Sequence, residues 1–421
     1  VKVTKKDVLW GYIAQIFNVG TGFFTLPVIL NLLSPEEVGM NYIMLSVGAL
    51  VTIADFGFSG QVGRNITYII SGAKHIQKGE LTESVSATDI HIDFHLLNTV
   101  IQAAKYLYQL LSLGILVILL TGGTWYMHHV TDGFSNVKWS LYIWLLYCIS
   151  CFFNFYFLYY NSLLSGAGLI TEQKKAIIYS RIVYLILCIA MLLSGCGLLS
   201  VVSANYIAPF VVRFYSHIKF YSKEMRESLR GQTTTLQEKK EAISKMWYTA
   251  KRSGTNSIGH YVGTQGTMFF AGIYLSLNEA SQWGILQQLY GIVQGMALNM
   301  GLSLLPQLTK YQLQKQKDKF IKTLSVSYVF LLLIIIAGGI CINVLGPFAL
   351  QLIKSKSHLP DISLMNFYFV SSVILVTAQL FACVLGCKNI IPSPKAVLTT
   401  SAAAIVLLFI LLHFCSLGLW A

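Results

Sequence analysis

Asp55 and Arg64 both fall in the segment Ala54–Tyr68, ADFGFSGQVGRNITY, which follows an apolar run from Tyr42 to Ile53. A carboxylate inside such a run is expensive and marks one of two chemistries. It either binds and releases a proton or cation, coupling ion movement to a conformational cycle, or it is a structural acid paired with a backbone amide or polar neighbour. Arg64 lies nine positions on, and at 100° per residue it projects to the opposite face of an ideal helix. A salt bridge between the two within one helix therefore requires a bend at Gly57, Gly60 or Gly63. Arg64 itself either snorkels to lipid phosphates or joins Arg181 and Arg213 in an anion-receiving vestibule. In the second case the planar guanidinium grips phosphate oxygens in pairs.

A second set of polar residues is uncharged. Gln15, Asn18 and Thr21 lie in the first apolar run, Asn256, Ser257, His260, Gln265 and Thr267 in the seventh, and Gln287, Gln288, Gln294 and Asn299 in the eighth. Taken singly, each reads as an interhelical hydrogen bond, worth about 0.6 kcal/mol in a bilayer. Taken together, Gln15, Asn18, His260, Gln265 and Gln294 are expected to line a cavity. The aromatic run YCISCFFNFYFLYYNSLL reads as packing and interfacial anchoring, with sugar stacking from its tyrosines as the alternative. Cys148-Ile-Ser-Cys151 has no Cys/His pair following at zinc spacing and reads as helix packing; no cofactor or metal site is expected.

The elements that position these residues follow from composition. Of 421 residues 55% are hydrophobic and 11% charged, and mean hydropathy is +0.63. A soluble domain carries about 25% charged residues. The charges lie in short islands between apolar runs of roughly 20 residues, the length that lets a helix cross the hydrocarbon core. Spans are expected at 9–33, 40–63, 106–127, 139–163, 176–194, 196–215, 254–277, 283–305, 324–346, 363–386 and 396–414, giving an all-α polytopic membrane protein. The piece DIHIDFHLLNTVIQAAKYLYQLL before the third span is expected to lie along the membrane surface. With the N-terminus in the cytoplasm, every Lys and Arg except Lys138, Lys354 and Lys356 falls on the inside, as topology requires. The net charge of +13 is thereby explained without a nucleic-acid partner. The chain begins at Val1 and its last apolar run stops at Ala421, so a fragment lacking a twelfth span is expected.

The polar stretch 217–252 divides an N-terminal six-helix bundle, 1–216, from a C-terminal bundle, 253–421. Shifted by 245 positions, FFTLPVILNLLSPEEVGMNYIM overlays MFFAGIYLSLNEASQWGILQQL, placing Phe24 on Phe269 and Gly39 on Gly284. Even span numbers give the halves one orientation, the parallel-repeat plan of alternating-access transporters.

The stretches NLLSPEEVGMNYIM, ADFGFSGQVGRNITYIISGAKHIQKG and NSLLSGAGLITEQKKAIIYSRIVYLIL resemble the N-terminal half of Wzx-type polysaccharide flippases, of the multidrug/oligosaccharidyl-lipid/polysaccharide exporter superfamily. The resemblance implies a twelve-helix, two-bundle transporter, not an enzyme, in the bacterial cytoplasmic membrane. Such a protein flips undecaprenyl-diphosphate-linked oligosaccharide for O-antigen, capsule or exopolysaccharide synthesis. A proton or sodium gradient supplies the drive, and a polysaccharide polymerase and chain-length regulator are partners. Asp55, Arg64 and Asn65 are the positions the resemblance carries over. Few cations lie deep in the spans, which favours an uncharged or weakly acidic glycan. A cation-coupled multidrug antiporter on the same fold is the alternative; a membrane glycosyltransferase or polymerase lacks the acid-bearing outside loop it needs.

Overall fold

The computed structural model describes residues 5–73, 75–76, 92–264, 266–313, 316–386, 394–415 and 417–420. Among them every regular element is helical: α1 (Lys5–Leu32), α2 (Pro35–Ile53), α3 (Phe58–Ile70), α4 (Phe94–Ile118), α5 (Thr124–Val130), α6 (Ser140–Tyr156), α7 (Tyr159–Gly166), α8 (Ile170–Leu193), α9 (Leu199–Phe220), α10 (Lys223–Leu229), α11 (Leu236–Thr264), α12 (Gly266–Tyr274), α13 (Leu277–Leu313), α14 (Lys317–Leu352), α15 (Ile362–Gly386) and α16 (Pro394–His413). Five helical rods among the described residues are long and apolar enough to cross a membrane on their own, and the bent pair α2–α3 makes a sixth. The remaining expected spans coincide with helices, such as α9 and α13, that fall outside that strict test. Large apolar side chains that a soluble protein would bury point outward, Leu333, Val344, Phe348 and Leu352 of α14 among them. That is the surface a lipid solvent requires.

The surface-lying helix expected before the third span is instead the start of that span. Asp93 caps α4 by accepting from the Leu96 N–H at 2.9 Å, and the rod runs on through a π-turn at Leu119–Gly123 into α5. Leu97, Val100, Ala103 and Ala104 face inward, so the helical spacing read as amphipathic reports burial against neighbouring helices.

The chain divides into two compact units. The first comprises Val1–Val28 and Met44–Tyr261. There α9 packs on α8 and α6, α7 on α3, and α4 on α6. Trp144 is fully buried, donates its indole N–H to Thr124 Oγ1 at 2.9 Å, and presses on Gly123, where a Cβ would come within 2.8 Å of the ring.

The second unit comprises Ile29–Ile43 and Val262–Ala421. Ala297, Leu331, Ile335, Val376 and Leu380 form one apolar core among α13, α14 and α15, and Leu286, Tyr290, Ile342 and Met365 form another. Here the repeat register is corrected. Helix α1 ends at Leu32 and α12 at Tyr274; α2 begins at Pro35 and α13 at Leu277. Each second helix opens on a reciprocal capping box, Ser34 with Glu37 and Ser276 with Glu279. All of these pairs are offset by 242, three fewer than the sequence overlay. Under that register Tyr42 is equivalent to Gly284, and the two are in contact: a Cβ on Gly284 would lie 2.3 Å from the Tyr42 ring.

Candidate functional site

Asp55 sits in a break between two helices, not within one. The N–H groups of Ala54, Asp55 and Phe56 reach back three residues to Val51, Thr52 and Ile53, tightening the end of α2. Phe56 and Gly57 then take φ of 47° and 76°, and α3 leaves at 43° to α2. Gly57 enters the left-handed region freely, whereas Phe56 costs energy there that its surroundings must offset. Two contacts supply that support. The rings of Phe56 and Phe58 lie 5.8 and 5.7 Å from the Trp247 ring of α11, clamping the turn.

The other contact is the Asp55 carboxylate. It accepts the Ser59 backbone N–H at 3.2 Å and the Ser59 hydroxyl at 2.8 Å, satisfying an orphan donor in the first turn of α3. It also accepts a short hydrogen bond from the hydroxyl of Tyr108 on α4. Asp55 is buried and Tyr108 fully so. All these donors are neutral, and no cation lies within 4 Å of Asp55 among the described residues. One carboxylate thus ties α4 to the hinge between α2 and α3. Sequence reasoning singled out Asp55 but missed Ser59 and Tyr108. An acid four residues before a serine just beyond a glycine was the available signal for Ser59; nothing local announced Tyr108.

Arg64 is exposed on α3, on the far side of the break from buried Asp55, and makes no ion pair among the described residues. Arg181 of α8 is half-buried. Arg213 of α9 is exposed and lies over the Phe157 ring, 5.0 Å from its centroid. No carboxylate among the described residues pairs with any of these arginines. What relates them is α7, which packs on α3, α8 and α9, the three helices that carry them. The α3 contact is very close: a Cβ on Gly166 would meet the Gly63 carbonyl oxygen at 2.6 Å, and the Thr67 hydroxyl donates to the Gly166 carbonyl at 3.0 Å. Asn65 is buried and donates to the Gln61 carbonyl of its own helix at 2.9 Å.

Of the expected cavity residues, the side chains of Gln15, Asn18 and His260 and the whole of Gln265 lie outside the described residues. Gln294 lines a half-open cavity of about 390 Å³ in the second unit, bounded by α12, α13, α15, α16 and the turn Gly418–Trp420. Its amide donates to Ser372 Oγ at 3.1 Å. Nearby, Tyr290 donates to Asn343, which donates to Asn366, at 2.9 and 2.8 Å. Sequence reasoning passed over Asn343 and Asn366, although both are amides inside apolar runs and met the criterion applied to the glutamines.

With this geometry in view, the architecture has known counterparts. The chain aligns over 99% of its length with 92% of an inward-facing multidrug resistance MATE family transporter of the MOP superfamily, at TM-score 0.64 and 13% identity. Its fold is the MATE fold. An outward-facing transporter of the same description aligns with 98% of the chain over 88% of its own, at TM-score 0.53 and 14% identity. A MOP superfamily transporter from Pyrococcus furiosus aligns with all of it over 94% of its own, at TM-score 0.50 and 13% identity. No family model and no curated protein matches the chain.

Proposed function

We propose that this chain flips an undecaprenyl-diphosphate-linked oligosaccharide from the inner to the outer leaflet of a bacterial cytoplasmic membrane by alternating access. In this reading 1–216 and 253–421 are the two repeat bundles joined by the cytoplasmic linker 217–252, with the N-terminus inside. The observation that carries it is the set of arginines on α3, α8 and α9 that have no carboxylate partner among the described residues, all braced by α7. Basic residues mark the cytoplasmic ends of these helices. An unpaired guanidinium there suits a diphosphate and repels a cationic drug. Asp55 then serves as the coupling residue. Protonating it removes the charge that holds the Ser59 and Tyr108 donors, and the hinge between α2 and α3 relaxes. A proton or a sodium ion can serve as the coupling ion, since the Ser59 and Tyr108 hydroxyls that donate to the carboxylate also carry oxygen lone pairs. A polymerase and a chain-length regulator would receive the flipped unit. The likeness to multidrug transporters supports the alternative, a cation-coupled small-molecule antiporter.

The deciding experiment is complementation of a flippase-null strain by the full-length protein. We expect restored surface glycan, reduced at least tenfold by R64E combined with R213E and only partly retained in R64K combined with R213K. Asp55→Asn should abolish export while Asp55→Glu keeps part of it. Drug resistance conferred on a pump-deficient strain without glycan export would replace the flippase reading with the antiporter.

A further inference from the structure

The cavity of the second unit has a composition that the coupling site and the arginines do not account for. Trp283, Gln287, Gly291 and Gln294 follow one another at spacings of four, four and three on α13, which places them on one face of the helix. Tyr368 and Ser371 of α15 also line the cavity. Among the described side chains around it none is charged. Gln287 donates to Thr267 Oγ1 at 3.0 Å, and Gln294 to Ser372 Oγ at 3.1 Å. Each bond uses one amide N–H and fixes the plane of the group, leaving the carbonyl oxygen and the second N–H in a set geometry. The Trp283 and Tyr368 rings stand edge to face, 5.2 Å apart, so each holds the other's orientation.

Between the two glutamines stands Gly291, and a Cβ built there meets nothing within 4 Å. Glycine inside a helix costs about 1 kcal/mol against alanine. Here it keeps the middle of the polar stripe open without being demanded by any neighbouring helix. The volume, about 390 Å³, lies near the lower end of the roughly 300–1,000 Å³ of small-molecule sites. It is room for one or two sugar rings, not for a whole repeat unit.

We infer that this cavity binds an uncharged saccharide residue, which on the reading proposed above belongs to the lipid-linked glycan. A pyranose has an apolar C–H face and a rim of hydroxyls. Fixed aromatic faces take the first, and fixed amides take the second as both donors and acceptors. An ammonium drug or a uronic acid would have to shed part of its hydration with no counter-charge to meet it, which disfavours both. An acyl chain would leave the carbonyl oxygen and second N–H of each glutamine without partners.

The test uses the full chain held in amphipol, with maltose and N-acetylglucosamine as probes, and saturation-transfer difference NMR as readout. Both sugars should bind. Glucuronate and tetraphenylphosphonium should neither bind nor compete. Q294L should weaken sugar binding about tenfold, the loss of one well-made hydrogen bond. G291F should abolish it while G291A leaves it within about twofold, and thermal melts of all three variants report that they fold. Absence of sugar binding, binding indifferent to G291F, or displacement by tetraphenylphosphonium overturns the proposal. So does equal binding of octyl glucoside and octyl phosphocholine, which would make the cavity an acyl-chain site. The export assay separates the two claims. Surface glycan restored equally by wild type and G291F removes this cavity from the route and leaves the flippase reading standing. Sugar binding that depends on Gly291, in a chain that restores no glycan, preserves the site and removes the lipid-linked substrate.

Discussion

The bond between Tyr108 and Asp55 should carry an interaction energy that reveals the charge on Asp55. Neutral interhelical hydrogen bonds in membrane proteins average about 0.6 kcal/mol. Bonds to a charged group are worth about 1.5–3 kcal/mol. Phenylalanine at 108 removes only the hydroxyl, because the ring keeps its contacts with Phe155 and Tyr159 at 5.6 and 6.3 Å. Asparagine at 55 removes the charge and keeps a carbonyl acceptor. The cycle of wild type, Y108F, D55N and the double variant therefore isolates the excess of the charged bond over the neutral one, roughly 1–2 kcal/mol. Equilibrium unfolding of the purified chain in mixed micelles, titrated with SDS and followed by circular dichroism, measures all four stabilities. A coupling energy below about 0.5 kcal/mol, the ordinary error of additivity, would refute a charged carboxylate holding α4 to the hinge. Such a result would leave Asp55 as a neutral cap for α3 and take away the electrostatic basis of its coupling role.

Two further outcomes follow from close geometry. Gly284→Ala drives a methyl into the Tyr42 ring, at 2.3 Å, and should cost about 1–3 kcal/mol by overpacking, seen as a lower melting temperature that Y42L partly restores; an unchanged melt would show that α2 and α13 do not cross so closely. Outside the membrane, Glu238 caps α11 by accepting from the Thr235 N–H and hydroxyl at 2.7 and 2.9 Å, and these bonds, with His95 beside them, hold its carboxyl below the usual glutamate range. Its capping contribution is therefore present above the unfolded-state value and is lost as pH falls through the lower folded-state value. Hydrogen exchange in the first turn of α11, corrected for intrinsic rate, should quicken across that acid window in wild type and show no such step in E238Q.

Much of the architecture was legible because the bilayer imposes it. Apolar runs of spanning length located the helices without reference to packing. The misreadings share a cause. The segment 89–111 looked amphipathic because the inward face of its helical part from Phe94 packs on protein, a distinction that periodicity alone does not make. The repeat was placed at 245 because Phe24 met Phe269 and Gly39 met Gly284, and a shift of three residues in a helix turns a face by only 60°. The capping boxes, Ser-x-x-Glu in both halves, were the better ruler and were present in the sequence. At the candidate site, Asp55 was visible as an acid in the wrong solvent. Tyr108 was not, since a tyrosine in an apolar run is unremarkable until another helix brings a carboxylate to it.

The contact between Tyr42 and Gly284 bears on how such a chain arises. If the halves descend from one duplicated ancestor, positions that meet their own copy cannot drift independently. A tyrosine on both sides would collide, and a glycine on both would leave a hole. Having one of each lets the pair interlock, but only after the copies were fused into a single chain and free to differ. On that descent the tyrosine–glycine asymmetry is younger than the fusion of the two halves into one chain.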